Sequence, residues 1–418
     1  MYLWRMTTLW RHRNFRLLWA AQSISALGAR VTRAAVPLTA ILLLQARPDE
    51  LSLLAAFSAL PAILMGPIAG VLTDRWPRQA LMIGADLGRF AALMTIPIAA
   101  FLGRLTLTQL ILVLAIMRSL TLLFEVADRT LLPSLVGRAQ LLEGNAKLGT
   151  TEAMAEILGP ALGGALVQAL TAPFAILADA LSYLWSAVLL ARIDTPAMPA
   201  VAEPEPALAA TLAGIGTIIR HPILRPVALC LATQSFFGSF FEGTYDYFAI
   251  RELGLTPALL GLAIAAGGIG ALIGASLAPA LDRRLPIGLS LVGLRLGAGL
   301  CQLLIPFAGG SMLQATLILM AAQITGDAAF TAFAIGEISL RQRIVPDRLL
   351  GRVNASLGLV GSLAGPGGAL IAGMLATRWG VRPVMAIAAA GLAAASLWLL
   401  ASPAIRRLRQ PLDAAAPA

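Results

Sequence analysis

Runs of about twenty apolar residues succeed one another along almost the whole chain, parted only by short charged turns such as Thr73-Asp74-Arg75-Trp76-Pro77-Arg78. A helix needs roughly 20 such residues to cross the hydrocarbon layer of a bilayer. Twelve segments meet that length, near 15–44, 50–73, 79–102, 106–132, 142–170, 171–192, 222–248, 256–281, 285–308, 311–340, 349–377 and 380–402. The runs are continuous and do not alternate in polarity, so helices satisfy the backbone and a barrel is excluded. With 58% hydrophobic and 12% charged residues, a chain of 43.5 kDa lacks the polar surface to coat a water-soluble particle. The sequence predicts an all-α membrane protein with twelve transmembrane helices.

The net charge of +10 is not a nucleic-acid footprint, because the arginines are scattered at helix ends and do not gather on one soluble face. They read better as topology. With both termini placed in the cytoplasm, twenty Lys and Arg residues fall on that side and five outside, at Arg47, Arg104, Arg251, Arg378 and Arg382; the remaining six lie within helices. The first apolar run follows a basic start but is too long for a signal peptide and lacks a small-residue cleavage site, so a retained helix is expected. Cys230 and Cys301 fall inside predicted helices and read as packing residues. His12 and His221 are the only histidines; there is no metal spacing, no phosphate-binding GxxxxGK[ST] loop and no nucleophile motif. No enzyme, metal or cofactor is implied, and energy for any transport has to come from a gradient or a separate subunit.

The chain repeats itself. Asn145-Ala-Lys-Leu-Gly149 returns as Asn354-Ala-Ser-Leu-Gly358, a shift of 209 residues, half of 418. Gly159-Pro160-Ala-Leu-Gly163-Gly164 is echoed by Gly365-Pro366-Gly-Gly368, and Asp74-Arg75 by Asp282-Arg283. Between the copies, residues 193–221 have the Pro, Glu and Ala content of a linker. The expected organisation is a six-helix half over 1–192, a cytoplasmic linker over 193–221, a pseudo-symmetric six-helix half over 222–403 and a cytoplasmic tail over 404–418. A repeated six-helix membrane unit is the plan of a secondary transporter with its site between the halves.

These same residues carry a resemblance. Gly70-Val-Leu-Thr-Asp74-Arg75-Trp-Pro-Arg78 resembles the signature of the loop between helices 2 and 3 in the major facilitator superfamily, with Pro77 where a glycine is usual and Gln79 where a second basic residue is. Gly159-Pro160-Ala-Leu-Gly163-Gly164 resembles the core of the motif associated with that superfamily's antiporters, with Ala155 at its upstream glycine. The stretches NFRLLWAAQSISALGARVTRAAVPL and LRQRIVPDRLLGRVNASLG resemble the branch of macrolide-efflux and enterobactin-exporter proteins, except that Ala29 stands where many relatives carry an acid. The resemblance implies a drug:proton antiporter fold in which helices 1, 4, 7 and 10 line a central cavity. It also matches Arg118 to an arginine that proton-coupled exporters often carry on helix 4.

Ionisable groups inside a membrane are costly, on the order of 3 kcal/mol on insertion scales, so each is a functional candidate. Asp86 and Arg89, three apart, are placed to pair on one face. Glu152 and Glu156, four apart, repel unless one is protonated or meets a cation, for which Lys147 and loop arginines are at hand. Together with Asp327 and Arg118 they are the proton-coupling candidates. Arg33 and Glu242, and Arg118 and Asp327, are opposite charges related by the 209-residue shift. Arg30, Arg33, Glu242 and Asp246 are therefore candidates for an outer gate. Glu125, Asp128 and Glu337 are expected to snorkel from cytoplasmic helix ends. Gly70, Asp74, Arg75, Arg78, Asp282 and Arg283 form the candidate cytoplasmic hinge, where a glycine permits close approach and the charges lock one state. Gly159, Pro160, Gly163, Gly164, Gly365 and Pro366 form a candidate packing motif. Gln22, Phe237, Phe241 and Tyr245 are candidate cavity residues, the aromatic ones suiting an apolar ligand.

The reading that unites these features is a monomeric bacterial inner-membrane exporter of a small amphipathic or hydrophobic molecule, such as a drug, natural product or siderophore, exchanged for protons by alternating access. The partners expected are that small molecule, protons and the lipid bilayer, without nucleic acid. Alternatives are a lysophospholipid-like carrier, an importer, and a non-transporting receptor or scaffold.

Overall fold

The computed structural model describes residues 9–137, 140–194 and 207–408, with the side chains of several further residues, among them Gly70, Asp74 and Arg75, outside the described set. Among the described residues the chain is helical, without strands. The long helices are α1 (Arg13–Leu42), α2 (Pro48–Arg75), α3 (Arg78–Phe101), α4 (Leu107–Val136), α5 (Leu141–Leu170) and α6 (Ala172–Ala191), then α8 (Leu224–Tyr247), α9 (Pro257–Arg284), α10 (Ile287–Gln302), α11 (Met312–Ile344), α12 (Asp347–Trp379) and α13 (Val381–Leu400). These are the twelve segments read from the sequence. Two shorter helices are α7 (Ala207–Arg220) and α14 (Pro403–Arg406). Among the described residues eight of the long helices are long and apolar enough to cross a membrane, α7 and α8 are so together as a pair bent by 109°, and α10 is short for a span.

The ends of these helices have local causes. Thr106 caps α4 by accepting from Gln109 N, and Ser311 and Gln314 close a capping box on α11. The junction between α5 and α6 turns at Thr171, with φ +68°, and that between α12 and α13 turns at Gly380, with φ +85°. Residues 193–221, expected to be a linker, contain α7. It packs on α12, and Gly214 brings the backbone so near that a Cβ there would collide with Arg352 O and Ser356 Oγ. A Pro- and Glu-rich composition hid that seat.

Two compact units emerge: residues 1–46, 57–203 and 256–265 form the first, and residues 47–56, 204–255 and 266–418 the second. In the first, α1 packs on α5 and α6, and α3 on α4 and α6. In the second, α8 packs on α12 and α13, and α10 on α11 and α13. These four main contacts recur at elements 209 residues apart, so the repeat in sequence is a repeat in the principal packing.

Candidate functional site

Helix α5 supplies a stair of small residues, and each step admits a different neighbour. Gly159 lies against the Cβ and Cγ of Arg30, and Gly163 against Val31 and Ala34, so α1 rests directly on the α5 backbone. Gly164 faces Pro257 O and the Cα of Gly261 on the first turns of α9, while Gly261 in return faces Pro160 O. Small residues permit this approach and favour helix association in lipid. In the second unit Gly368 of α12 lies against Phe236 and Ser239, Gly373 against Ser52, and Gly365 near the Ser235 hydroxyl.

The close contact at Gly159 aims Arg30 at the two glutamates of α5. One guanidinium bonds Glu152 Oε1 at 2.5 Å through Nη2 and Glu156 Oε2 at 2.5 Å through Nη1. Arg33 lies 3.7 Å from Glu156. The cation that resolves the repulsion between Glu152 and Glu156 thus comes from α1. Lys147 is engaged elsewhere, 3.5 Å from Glu143 and 4.6 Å over the Trp10 ring.

Beside this cluster, α1, α4 and α5 line a half-open cavity of about 450 Å³. Its lining combines Leu132, Leu141 and Leu148 with Gln22, Asn145, Asp128 and Glu152. Gln22 Nε2 donates to Asp128 Oδ1 at 2.5 Å, and Trp19 Nε1 to Thr151 Oγ1 at 3.0 Å, which fixes two walls. Apolar surface with a few convergent polar groups is what a small amphipathic molecule requires. Asp128, expected to snorkel, instead lines this cavity.

Other candidates fall in different surroundings. Asp327 of α11 sits against Gly267 of α9 and has no ion pair among the described residues. Arg118, Glu125 and Glu242 are exposed, and Arg118 makes no ion pair among the described residues. Phe237 packs into Gly391 of α13 and meets Phe236 edge-on, Phe241 is half-buried, and Tyr245 is buried, its hydroxyl without a hydrogen-bond partner among the described residues. Asp282 of the hinge echo meets Arg343 of α11 at 3.1 Å, and Arg78 opens α3, whereas the side chains of Gly70, Asp74 and Arg75 lie outside the described residues. Glu337 does not snorkel: it is buried, 3.6 Å from Arg341.

A second ionic cluster lies deep in the first unit. Arg89 bonds Asp86 at 2.5 Å, as their spacing predicts, and its guanidinium lies 4.5 Å from the Phe124 ring centroid and 4.4 Å from that of Tyr183. Ser186 donates to the other Asp86 oxygen at 2.6 Å. Asp179 of α6 is buried nearby, accepting from Ser182 at 3.1 Å. Its place beside the Asp86–Arg89 pair comes from α6 packing on α3, which residue spacing does not reveal.

The chain belongs to the Major Facilitator Superfamily, whose family model matches residues 18–369. It is 30% identical over 377 residues to the uncharacterized MFS-type transporter YfiS of Bacillus subtilis (strain 168), covering 87% of both chains. Over 186 residues it is 28% identical to macrolide efflux protein A of Streptococcus pyogenes, covering 44% of this chain and 45% of that one. The crystal structure of a bacterial homologue of the iron transporter ferroportin, in an inward-facing state, shares the fold with a TM-score of 0.76 over 96% of this chain and 99% of that one, at 18% identity. The protein is therefore a multi-pass membrane transporter of this superfamily.

Proposed function

We propose that the protein exports a small amphipathic or hydrophobic molecule across the bacterial inner membrane, by alternating access and in exchange for protons, with both termini cytoplasmic. The cavity between α1, α4 and α5 carries this reading, because apolar walls and two carboxylates meet in one half-open pocket. Relatedness to a macrolide efflux protein supports the outward direction. Glu152 belongs both to the cavity wall and to the Arg30 bridge, so a bound cationic group and Arg30 compete for one carboxylate. Protonation of Glu152 or Glu156 weakens the bridge and releases Arg30, which links proton binding to occupancy of the cavity. Asp327, at the repeat position of Arg118, is a further proton-coupling acid in the second unit and makes no ion pair among the described residues.

The test is accumulation of a macrolide in cells expressing the protein. Expressing cells retain less macrolide than controls, an uncoupler removes the difference, and Glu152→Gln and Asp327→Asn each abolish it at matched abundance. Export that survives the uncoupler but stops without sodium overturns proton exchange.

A further inference from the structure

The Asp86, Arg89 and Asp179 cluster holds two carboxylates and one guanidinium, and the geometry commits that cation to one of them. Arg89 bonds Asp86, and its flat faces are taken up by Phe124 and Tyr183. Asp86 is satisfied twice, by Arg89 and by the Ser186 hydroxyl. Asp179 has neither advantage. It is 0% exposed, and among the described residues its Oδ1 accepts from Ser182 and its Oδ2 has no hydrogen-bond partner. Facing it from α1 is the hydroxyl of Thr32, 6% exposed and close enough to act on the carboxylate, but without a hydrogen bond of normal geometry among the described residues. Gly28, one turn before Thr32, leaves the space into which Asp179 Oδ1 and Ser182 project.

An ionised carboxylate in such a place is a buried anion with one hydroxyl donor, and a group so placed neutralises itself in preference to staying charged. The Thr32 hydroxyl can accept from a protonated Oδ2 as well as donate to an ionised one, so the contact suits either form, and full burial decides for the neutral acid. We propose that Asp179 is a proton-binding site of the first unit, carrying its proton on Oδ2 and donating it to Thr32 Oγ1 across the α1–α6 contact. Among the described residues the titratable groups around it are Asp86 and Arg89 on α3 and Tyr183 on α6, and from α1 the neutral Thr32 and Gly28 face it. The same helix α1 carries Gln22 into the cavity and Arg30 to Glu152, so the charge on Asp179 is felt by the helix that meets the ligand. Only that last link rests on the transport reading; the proton site does not.

Infrared spectroscopy of the purified full-length protein tests it. At neutral pH the wild type shows the carbonyl stretch of a protonated carboxylic acid, shifted in heavy water. Asp179→Asn removes that band, Asp86→Asn leaves it, and Thr32→Val changes its frequency by removing the acceptor. Asn copies the shape of the neutral acid, so Asp179→Asn folds and survives heating as the wild type does. An unchanged band in Asp179→Asn, a band lost only in Asp86→Asn, or an unfolded Asp179→Asn protein overturns the proposal. If the band behaves as described while macrolide export ignores an uncoupler, the proton site stands and proton antiport falls.

Discussion

Phe124 and Phe333, 209 residues apart, lie under a buried arginine in their respective units: Arg89 at 4.5 Å from the first ring centroid and Arg295 at 5.8 Å from the second. The two arginines are not repeat copies of each other, for Arg295 occupies the position equivalent to Asp86. The aromatic floor has been kept while the charges above it have been redistributed. In the first unit the cation meets a carboxylate, whereas in the second it meets Gln234 Oε1 at 2.9 Å and the Leu392 carbonyl.

That difference predicts unequal costs. Arg89→Met leaves Asp86 buried without its cation, a loss of about 3–5 kcal/mol for a broken buried pair. Arg295→Met removes a buried charge that no carboxylate bonds among the described residues, leaving only a neutral amide and a carbonyl to rearrange. Thermal unfolding in detergent ranks them: Arg89→Met falls far below the wild type, and Arg295→Met falls less. The reverse order contradicts the account of both sites.

Close packing at Gly164 gives a second test. A methyl group there meets the Pro257 carbonyl and the Gly261 Cα, both backbone, so neither can step aside without moving a helix. Overpacking of this kind costs typically 1–3 kcal/mol. Gly149 of the same helix has open space within 4 Å of its would-be Cβ. Gly164→Ala therefore lowers both thermal stability and transport, while Gly149→Ala, a better helix former, leaves the unfolding temperature unchanged or raised.

What the sequence disclosed and what it hid divide along the same physical line. The turns between α3, α4, α5 and α6 were legible because lipid demands long apolar runs, and the charges that end them are visible singly. The Asp86–Arg89 pair was legible because a spacing of three fixes a shared helix face. Asp179 beside that pair, Arg30 between Glu152 and Glu156, and the seat of α7 on α12 each depend on which helices pack together. Residue spacing within one helix carries no record of that. Gly159 could have pointed to Arg30 only after α1 was known to lie on α5.

His221 offers a pH-dependent test outside the spans. Its Nδ1 accepts from the backbone N–H groups of Ile223 and Leu224, at 3.2 and 3.3 Å, and so caps the start of α8. Only the imidazole with an unprotonated Nδ1 can do this, and partial burial lowers the pKa below its ordinary value. A depressed pKa gives stability that is complete above the unfolded value, near 6.5, and is lost as pH falls through the folded one. Lowering the pH from about 7 to about 5 should thus reduce the unfolding temperature, by an amount corresponding to about 1 kcal/mol for a lost cap. His221→Asn keeps an acceptor that does not titrate, and its unfolding temperature should lack this part of the pH dependence; equal slopes in the two proteins refute the cap.

Thr171 is where the repeat is least comfortable. It turns the chain between α5 and α6 with φ +68° and ψ 158°, and its equivalent between α12 and α13 is Gly380, with φ +85° and ψ 167°. Glycine adopts that region freely, while a β-branched residue is strained there, at a cost of order 1–3 kcal/mol. The Thr171 side chain returns nothing visible for this: it is exposed and caps no backbone N–H of α6. Thr171→Gly should therefore raise the unfolding temperature, since relief of strain in the folded state exceeds the entropy that glycine adds to the unfolded one, roughly 0.5–1 kcal/mol. Gly380→Thr should lower it. If Thr171→Gly is destabilising instead, the threonine holds the α5–α6 turn by a contact that offsets its strain, and the two junctions are not energetic copies of one another.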